Sequence, residues 1–205
     1  MRRARVAERR KEILETTCRV VLARGFAHTR IADVAAELGV STGTIHYHFV
    51  SKDVLFAEAL RYAADRDLDW LAASVARGTT ALERVDRVLR SYLPDVDGSW
   101  VMWVDAWAQA LRSPVMRAIS EELDARWHAV LEGIIKEGVA GGEFTCPDPA
   151  AAAWRLTALL DGLALQVLVH SGIVGRRQML DYARTAARLE LGLPENAFPK
   201  PARSR

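Results

Sequence analysis

The residues best suited to bind another molecule lie in one short segment, VSTGTIHYHFVSKDVL, residues Val40–Leu55. It places short hydroxyl side chains and polar rings close together, at Thr42, Thr44, His46, Tyr47 and His48. A helix that only faced solvent would favour Glu, Lys and Gln at such positions. Hydroxyl groups suit phosphate oxygens, and flat polar rings suit the edges of bases. The segment therefore predicts a contact with a nucleic acid.

The same histidines could instead suggest a metal site or a hydrolase. His46 and His48 are two residues apart, so on a helix they point about 200° apart, whereas helical metal-ligand pairs are four residues apart. The other three histidines are scattered along the chain, and the sequence contains neither a G-x-S-x-G motif nor a Gly-rich phosphate loop. We therefore expect no metal, no cofactor and no catalytic residue.

A helix-turn-helix pattern positions these polar side chains. Two short helices on either side of Gly39 share a small core, formed by Val34, Ala35, Leu38, Val40, Ile45 and Phe49. In such units the second helix enters the major groove of DNA and the first crosses the backbone. A basic N-terminal arm would lie near the duplex and add positive charge: Arg2, Arg3, Arg5, Arg9, Arg10 and Lys11.

The rest of the chain also shows helical spacing, and no window alternates with the period of a strand. The sequence predicts an all-α protein, in which Asp148 caps a helix that has Pro149 in its first turn. The predicted helices are 5–24, 31–38, a short one after Ser41, 52–75, 80–93, 100–112, 114–137, 149–170 and 176–191. Residues 194–205, with three Pro and three cationic side chains, predict a disordered tail.

Charge divides the chain into parts with different expected partners. Residues 1–52 carry ten Lys and Arg against five Asp and Glu, whereas residues 53–175 carry eleven against eighteen. The basic first part favours a polyanion such as DNA, although a solvated basic helix would give the same excess.

Composition also bounds the compartment. The 205 residues contain no run of 18 apolar residues and no N-terminal secretory signal, so we expect no membrane partner. Cys18 and Cys146 show no C-x-x-C spacing, and we interpret both as buried thiols in a reducing cytoplasm.

A second candidate site lies in SWVMWVDAWAQALR, where three of the six Trp residues fall on one helix face. By the 100° step, Trp100, Trp103 and Trp107 lie at about 0°, 300° and 340°, with Asp105 opposite. Aromatic stripes commonly fill a core. Alternatively, these rings form the wall of a ligand pocket, and Trp100, Trp103, Trp107 and Asp105 are then candidate ligand contacts. Nearby carboxylates would favour a hydrophobic or amine-bearing cation.

Polar residues in a later apolar helix could supply further ligand contacts. Asp161 is surrounded by apolar residues in LTALLDGLALQVLV, so if it is buried it needs a partner. That partner is either a neighbouring helix or a bound ligand. Gln166 and His170, four residues apart, could form a second polar pair or face the partner subunit of a dimer.

The first part of the chain resembles the DNA-binding domain of TetR-family transcriptional regulators. The resemblance covers residues 10–60 and rests on Gly25-Phe26, Thr29, Val34-Ala35, Leu38-Gly39-Val40-Ser41, Gly43-Thr44-Ile45, Tyr47-His48-Phe49, Ser51-Lys52-Asp53 and Leu55. It implies that DNA is contacted by Thr29, Thr42, Thr44, Tyr47 and Lys52, with Lys52 on a phosphate. The full predicted contact set adds Arg30, Ser41, Gly43, His46 and His48. His46 replaces the usual Tyr and Arg30 the usual second Thr, so the operator sequence does not carry over.

The second part resembles the C-terminal domain of BetI-like TetR regulators, through WVDAWAQALRSPVMRAISEEL and Leu160-Asp161-Gly162-Leu163. This resemblance implies about nine helices, with a three-helix DNA-binding domain at 1–52 and a ligand-binding and dimerisation domain at 53–193. It also implies a homodimer through the last two helices. Their expected apolar face comprises Leu156, Leu159, Leu160, Leu163, Val167, Leu180, Ala183, Ala187 and Leu189.

These expectations define a cytoplasmic, homodimeric repressor that leaves a palindromic DNA operator when a small-molecule effector binds. The helix from Lys52 to Val75 would couple the two domains. One alternative is a helical DNA-binding protein without an effector, controlled by a protein partner. Another is a helical small-molecule binding or enzymatic domain whose basic arm is incidental.

Overall fold

A computed structural model describes residues 2–94, 98–170 and 172–198, with no account of the side chains of residues 2 and 3. Within these ranges the chain forms nine helices and no strand. The helices are α1 (Arg2–Arg24), α2 (Ile31–Leu38), α3 (Thr42–His48), α4 (Lys52–Val75), α5 (Ala81–Ser91), α6 (Ser99–Ala110), α7 (Pro114–Ala140), α8 (Pro149–Val169) and α9 (Arg176–Glu190). The expected all-α fold is confirmed.

Local signals set most of the helix ends. Gly39 adopts a left-handed conformation (φ 71°), and its N–H and that of Val40 donate to the last carbonyls of α2. The side chains of Ser41, Thr80 and Asp148 each accept a hydrogen bond from a backbone N–H in the first turn of the following helix. These are short-range interactions, which is why the sequence predicted the stop at Gly39, a cap at Ser41 or Thr42, and the cap at Asp148.

The structure divides into two compact units of packing. One comprises residues 1–68 and 95–124, and the other comprises residues 69–94 and 125–205. The boundaries fall inside α4 and α7, so these units describe packing. The division by function at residue 52 stays a prediction.

The first unit has a core shared by α1 to α4, α6 and the first part of α7. Its largest fully buried side chains include Ile13, Phe26, Ile45, Phe49 and Leu55. Phe26 meets Phe56 edge to face, with 5.2 Å between the ring centroids. Since these residues come from several helices, the core fixes the position of α3 on the unit.

The second unit packs α8 against α9, and α9 against α5. Inside it, Arg184 of α9 donates to both carboxylate oxygens of Asp86 on α5, at 2.8 and 3.1 Å. Arg90 donates to the same carboxylate at 2.8 Å. Burial alone would raise the pKa of Asp86, but these hydrogen bonds outweigh it and the pKa is lowered. This ion pair holds α9 to α5 from its buried side.

Several residues that were predicted to form the apolar dimer interface are instead buried within one subunit. Leu156, Leu160, Ala183 and Ala187 are each no more than 1% exposed, because they pack inside the second unit. Trp154 near the start of α8 remains exposed, and further along the two helices five more apolar side chains do: Leu159, Leu165 and Val169 on α8 and Tyr182 and Leu189 on α9. We call these five residues the apolar seam. Tertiary packing therefore uses one face of each helix and leaves another uncovered.

The apolar composition of α8 has a second consequence. By length and composition alone it could cross a membrane, and 33% of its most apolar window is buried. A buried helix of a folded domain passes the same test. In this fold α8 packs on α9, and Arg155 on its exposed face donates twice to the carboxylate of Glu190, at 2.6 and 2.7 Å.

The two cysteines and the C-terminal segment differ in part from expectation. Cys146 is buried but Cys18 is only partly buried; burial nevertheless raises the pKa of the Cys18 thiol to about 11. Of the predicted disordered tail, Pro194–Phe198 forms turns, and the N–H of Ala197 donates to the carbonyl of Pro194. Residues 199–205 lie outside the described residues.

Candidate nucleic-acid interface and aromatic ligand face

The second helix of the helix-turn-helix presents polar side chains to solvent. The Ser41 hydroxyl accepts from the Thr44 N–H at 3.2 Å and lies 3.1 Å from the Thr44 hydroxyl, so the first turn of α3 is fixed. Ile45 is fully buried and anchors the opposite side. Tyr47 is 73% exposed, with its ring edge to face with His48 at 5.1 Å. We call the outward side chains of Ser41, Thr42, Thr44, His46, Tyr47 and His48 the recognition surface.

Arg10 holds the end of this helix. Its guanidinium donates to the carbonyl of His48 at 2.6 Å, pairs with the carboxylate of Glu58, and lies 4.3 Å from the ring centroid of Phe49. The sequence placed Arg10 in the basic arm that faces DNA. The structure instead gives it a role in positioning α3, since a cation at a helix C-terminus satisfies its last carbonyls. No local pattern could have shown this, because Glu58 is 48 positions away.

The positive charges of Arg10 and Arg9 affect the protonation of the His48 ring in α3. Partial burial of the His48 ring, followed by the charges of Arg10 and Arg9, lowers its pKa. We therefore expect a neutral His48 at pH 7 when DNA is absent, able to donate or accept one hydrogen bond. Among the described residues, no group of three or more His, Cys, Asp or Glu could hold a metal ion.

Two predicted contacts lie before α2 and behave differently. Thr29 is 0% exposed, and its hydroxyl donates to the carbonyl of Gly25 at 2.7 Å. In this conformation its side chain holds the turn and cannot reach DNA, so we leave Thr29 out of the proposed contact set. Arg30 is exposed, and its N–H donates to the Asp33 carboxylate at 2.7 Å.

Lys52 and Gly43 complete the predicted DNA-binding set. Lys52 begins α4, with its ammonium nitrogen 5.0 Å from the ring centroid of Phe56, and it remains partly exposed. A lysine at the start of a helix adds to the positive end of the helix dipole, which favours a phosphate nearby. Gly43 lies in the first turn of α3, where it exposes the backbone.

The three tryptophans of α6 form a contiguous aromatic face in the first unit. Trp107 lies between the other two, with ring centroids 6.2 Å from Trp100 and 6.3 Å from Trp103. All three are partly buried, and Trp103 packs against the core. The face thus combines features of both interpretations: one ring contributes to the core, and none of the three is fully covered.

Asp105 is not placed beside these rings as a ligand group. Its carboxylate accepts from the backbone N–H of Phe26 at 2.5 Å. The prediction of Asp105 as a ligand contact therefore has a competing assignment, because this carboxylate is already used inside the first unit.

The remaining predicted ligand residues belong to the second unit. Asp161 is partly buried on α8, whereas His170 is exposed and its ring Nδ1 lies 3.0 Å from Oε1 of Gln166. The side chains of Gln166 and His170 are therefore hydrogen-bonded to each other, which is one of the two arrangements predicted for them. The sequence reasoning gave no role to Trp127 and His128.

Trp127 and His128 place buried nitrogen atoms in the second unit. His128 Nδ1 lies 3.4 Å from the Thr157 hydroxyl, which itself donates to the carbonyl of Ala153. Within the described residues, His128 Nε2 and Trp127 Nε1 have no hydrogen-bond partner. The Trp154 ring lies on His128, with 4.3 Å between centroids. This burial and pairing depend on the packing of α7 against α8, so they leave no local signal in the sequence.

Comparison with known proteins now defines the class. Residues 13–59 match the model of bacterial regulatory proteins of the tetR family, and residues 81–192 match the model of the BetI-type transcriptional repressor, C-terminal. The chain therefore belongs to the TetR family of transcriptional regulators, which are DNA-binding proteins and not enzymes. Its C-terminal part is of the BetI type.

Similar proteins span nearly the whole chain. The transcriptional regulator BetI of Burkholderia cenocepacia (strain HI2424) is 28% identical over 185 residues, covering 85% of this chain and 90% of its own. A transcriptional regulator from Saccharomonospora viridis, solved in complex with choline, is 34% identical with a TM-score of 0.78, covering 87% and 95%. A TetR-family regulator from Rhodococcus sp. is 26% identical with a TM-score of 0.79, covering 90% and 99%.

Proposed function

We propose that this protein is a repressor that binds a palindromic operator as a homodimer and is released by a small cationic effector. The observation that carries DNA binding is the recognition surface, which is polar, exposed and held in place by Ile45 and Arg10. Its hydroxyl and ring side chains suit phosphates and base edges in a major groove. We propose contacts from Arg30, Lys52 and the recognition surface, with Gly43 allowing close backbone approach.

The homodimer is supported by the apolar seam. Regulators of this family bind operators as dimers. On α9 the exposed positions Gln178, Tyr182, Thr185 and Leu189 recur every three or four residues, as in a helix that packs against another helix. A twofold dimer would bury this face against its own copy. It would also cover the apolar side of α8 without a membrane.

The proposed effector class rests on the aromatic face of α6. Tryptophan rings attract quaternary and protonated amines through their π faces, and two or three rings make a cage. A regulator 34% identical to this chain was solved with choline. We therefore propose that Trp100, Trp103 and Trp107 bind a choline-like cation.

The test begins with DNA. A duplex would be selected by the full-length protein from a random pool, and we expect a palindrome bound with steep salt dependence. Lys52→Ala should weaken binding to all sequences about equally and lower the slope against salt by about one. Lys136→Ala, which removes a lysine from α7, is the matched control. Full affinity of Lys52→Ala at physiological salt would contradict the phosphate contact.

The effector is tested by titration of choline chloride against Trp emission and against the protein–duplex complex. We expect emission to change and the duplex affinity to fall about 5- to 150-fold, the usual range of allosteric coupling. Trp107→Phe should weaken choline binding less than Trp107→Ala, because phenylalanine keeps a ring. Equal affinity of wild type and Trp107→Ala for choline would place the effector elsewhere.

A second candidate function keeps the DNA-binding part and removes the effector. In that case a protein partner would control the dimer, and no small cation would change duplex affinity. The partly exposed rings of α6 favour the first proposal, since a pure core stripe would be fully buried. We also propose a cytoplasmic location, where the operator and the reduced cysteines would be found.

A further inference from the structure

A carboxylate on the Trp-bearing helix reaches the first turn of the DNA-binding fold. Oδ2 of Asp105 accepts from the backbone N–H of Phe26 at 2.5 Å, across 79 positions of sequence. Gly25 precedes Phe26 with φ 79°, and a Cβ atom there would lie 3.1 Å from the same oxygen. Glycine therefore permits both the backbone conformation and the close approach of the carboxylate.

The turn that receives this hydrogen bond is the junction between α1 and α2. The Gly25 N–H donates to the carbonyl of Val21 at 2.7 Å and ends α1. The Gly25 carbonyl accepts from the hydroxyl of buried Thr29, two residues before α2 begins at Ile31. A displacement of this turn would therefore move the start of α2, and with it α3, which packs on α2.

Asp105 lies between Trp103 and Trp107 in the sequence of α6, and the helical spacing places it on the face opposite the rings. We propose that Asp105 is a positioning residue that transmits movement of the Trp face to the helix-turn-helix through the Phe26 N–H. This inference rests on the proposed function and names its regulation. A ligand that shifts α6 changes the strength of one hydrogen bond, and that difference between two states is what allows it to change DNA affinity.

Two other side-chain contacts join α7, or the turn before it, to α4, but they are weaker candidates. Ser113 donates to Asp53 at 3.0 Å, and Arg61 pairs with Glu122; both contacts are exposed. Exposed pairs are screened by water and contribute little. The bond from Phe26 is partly buried and joins a carboxylate to backbone, so it positions the main chain directly.

The experiment uses reciprocity. All six Trp residues lie at or after position 70, so none belongs to α1, α2 or α3 and none can contact the duplex from the recognition surface. If α6 and the turn are coupled, binding of the selected duplex must change the environment of the Trp face. We expect an emission change in wild type and at least a fivefold smaller change in Asp105→Ala at saturating duplex. Asp105→Asn retains an acceptor oxygen and should restore much of the change.

A choline arm measures the same coupling from the other side. In Asp105→Ala the ratio of duplex affinities with and without choline should fall from the wild-type value to within about twofold of one, while choline affinity stays unchanged. Glu121→Ala, which removes an exposed carboxylate from α7, should retain the wild-type ratio. A merely structural role would instead lower choline affinity and melting temperature together, with the ratio preserved.

Hydrogen exchange of the full chain decides the remaining outcomes. Asp105→Ala should speed exchange at Phe26 and across residues 31–48, at an unchanged melting temperature. The proposal would be overturned if faster exchange in Asp105→Ala were confined to Phe26. It would also be overturned if Asp105→Ala lost this hydrogen bond but kept the coupling between duplex and Trp face that the wild type shows. If choline does not bind, the effector proposal fails, but the change in Trp emission on duplex binding still tests the role of Asp105. If no duplex is selected, hydrogen exchange tests that role. If Asp105→Ala does not fold, Asp105→Glu replaces it.

Discussion

The recognition surface on α3 and the apolar seam on α8 and α9 are both exposed, yet they have opposite chemistry. Tyr47 and its neighbours offer hydroxyls and polar rings, and Ile45 below them is fully buried. In the seam, Leu189 is 65% exposed and Val169 is 58% exposed, although the helices that carry them already bury another face. Exposure therefore does not indicate the partner; the chemical groups that remain exposed do.

The difference also shows how each surface is supported. Arg10 fixes the C-terminal end of α3 by donating to the carbonyl of His48. Arg184 fixes the buried side of α9 by donating to Asp86. In both places a buried or partly buried arginine orders the helix, while the outward residues are left free to meet another molecule. A substitution in one surface should consequently leave the other intact.

The largest effect should follow from a charge in the seam. Leu165→Glu would place an unpaired carboxylate in an apolar dimer interface, which costs several kcal/mol. We expect a monomer at micromolar concentration in sedimentation velocity, and an operator affinity lower by roughly 100-fold or more because each 1.4 kcal/mol is tenfold.

Leu111→Glu is the matched control, because Leu111 is an equally apolar and 73% exposed residue outside the seam. It should remain dimeric. A dimeric Leu165→Glu protein would show that the interface lies on another face, and it would remove the physical basis for a palindromic site.

A smaller effect is expected at the recognition surface. Thr44→Ala or Tyr47→Ala should lower operator affinity by about 1–3 kcal/mol, because each removes a base or phosphate contact. Both proteins should stay dimeric. Tyr47→Ala should retain the melting temperature of the wild type, whereas Thr44→Ala also loses the contact with the Ser41 hydroxyl. Fluorescence anisotropy with the selected duplex is the measurement. Unchanged affinity for Tyr47→Ala, with the duplex still bound, would remove Tyr47 from the interface.

The smallest effect concerns the support of the seam. Asp86→Asn weakens the hydrogen bonds from Arg184 and Arg90, and should lower the free energy of unfolding at pH 7 by about 1–2 kcal/mol. Because the folded-state pKa of Asp86 is lowered, its stabilising contribution is present above its ordinary pKa and is lost as pH falls through the lower folded-state value. As pH falls below 3.8, the ordinary pKa of this carboxyl group, the wild type should therefore lose more stability than the variant.

Thermal unfolding at several pH values measures this difference, and Glu121→Gln is the control for removing an exposed carboxylate. Parallel pH curves for wild type and Asp86→Asn would mean that the ion pair contributes no net stability. Operator affinity of the folded dimer should be unchanged in either case, which separates support of α9 from DNA recognition.

The helices and the class of protein could be predicted from the amino-acid sequence alone. The spacing of apolar residues, the stop at Gly39 and the caps at Ser41 and Asp148 act within a few residues, so they could be predicted without a fold. The polar character of α3 was also visible, since it depends only on which residue types fall outside a short apolar pattern. The resemblance to the TetR family rested on the same local motifs and was confirmed.

Which side chains are available to a partner molecule depends on packing between residues that are distant in sequence. Thr29 and Arg10 were expected at the DNA but hold the turn and the end of α3, because their partners are buried or distant in sequence. Asp105 was a predicted ligand contact, but its carboxylate accepts from the N–H of Phe26, 79 positions away. Helical periodicity gives the direction of a side chain around its own helix, but it contains no information about which other helix lies there.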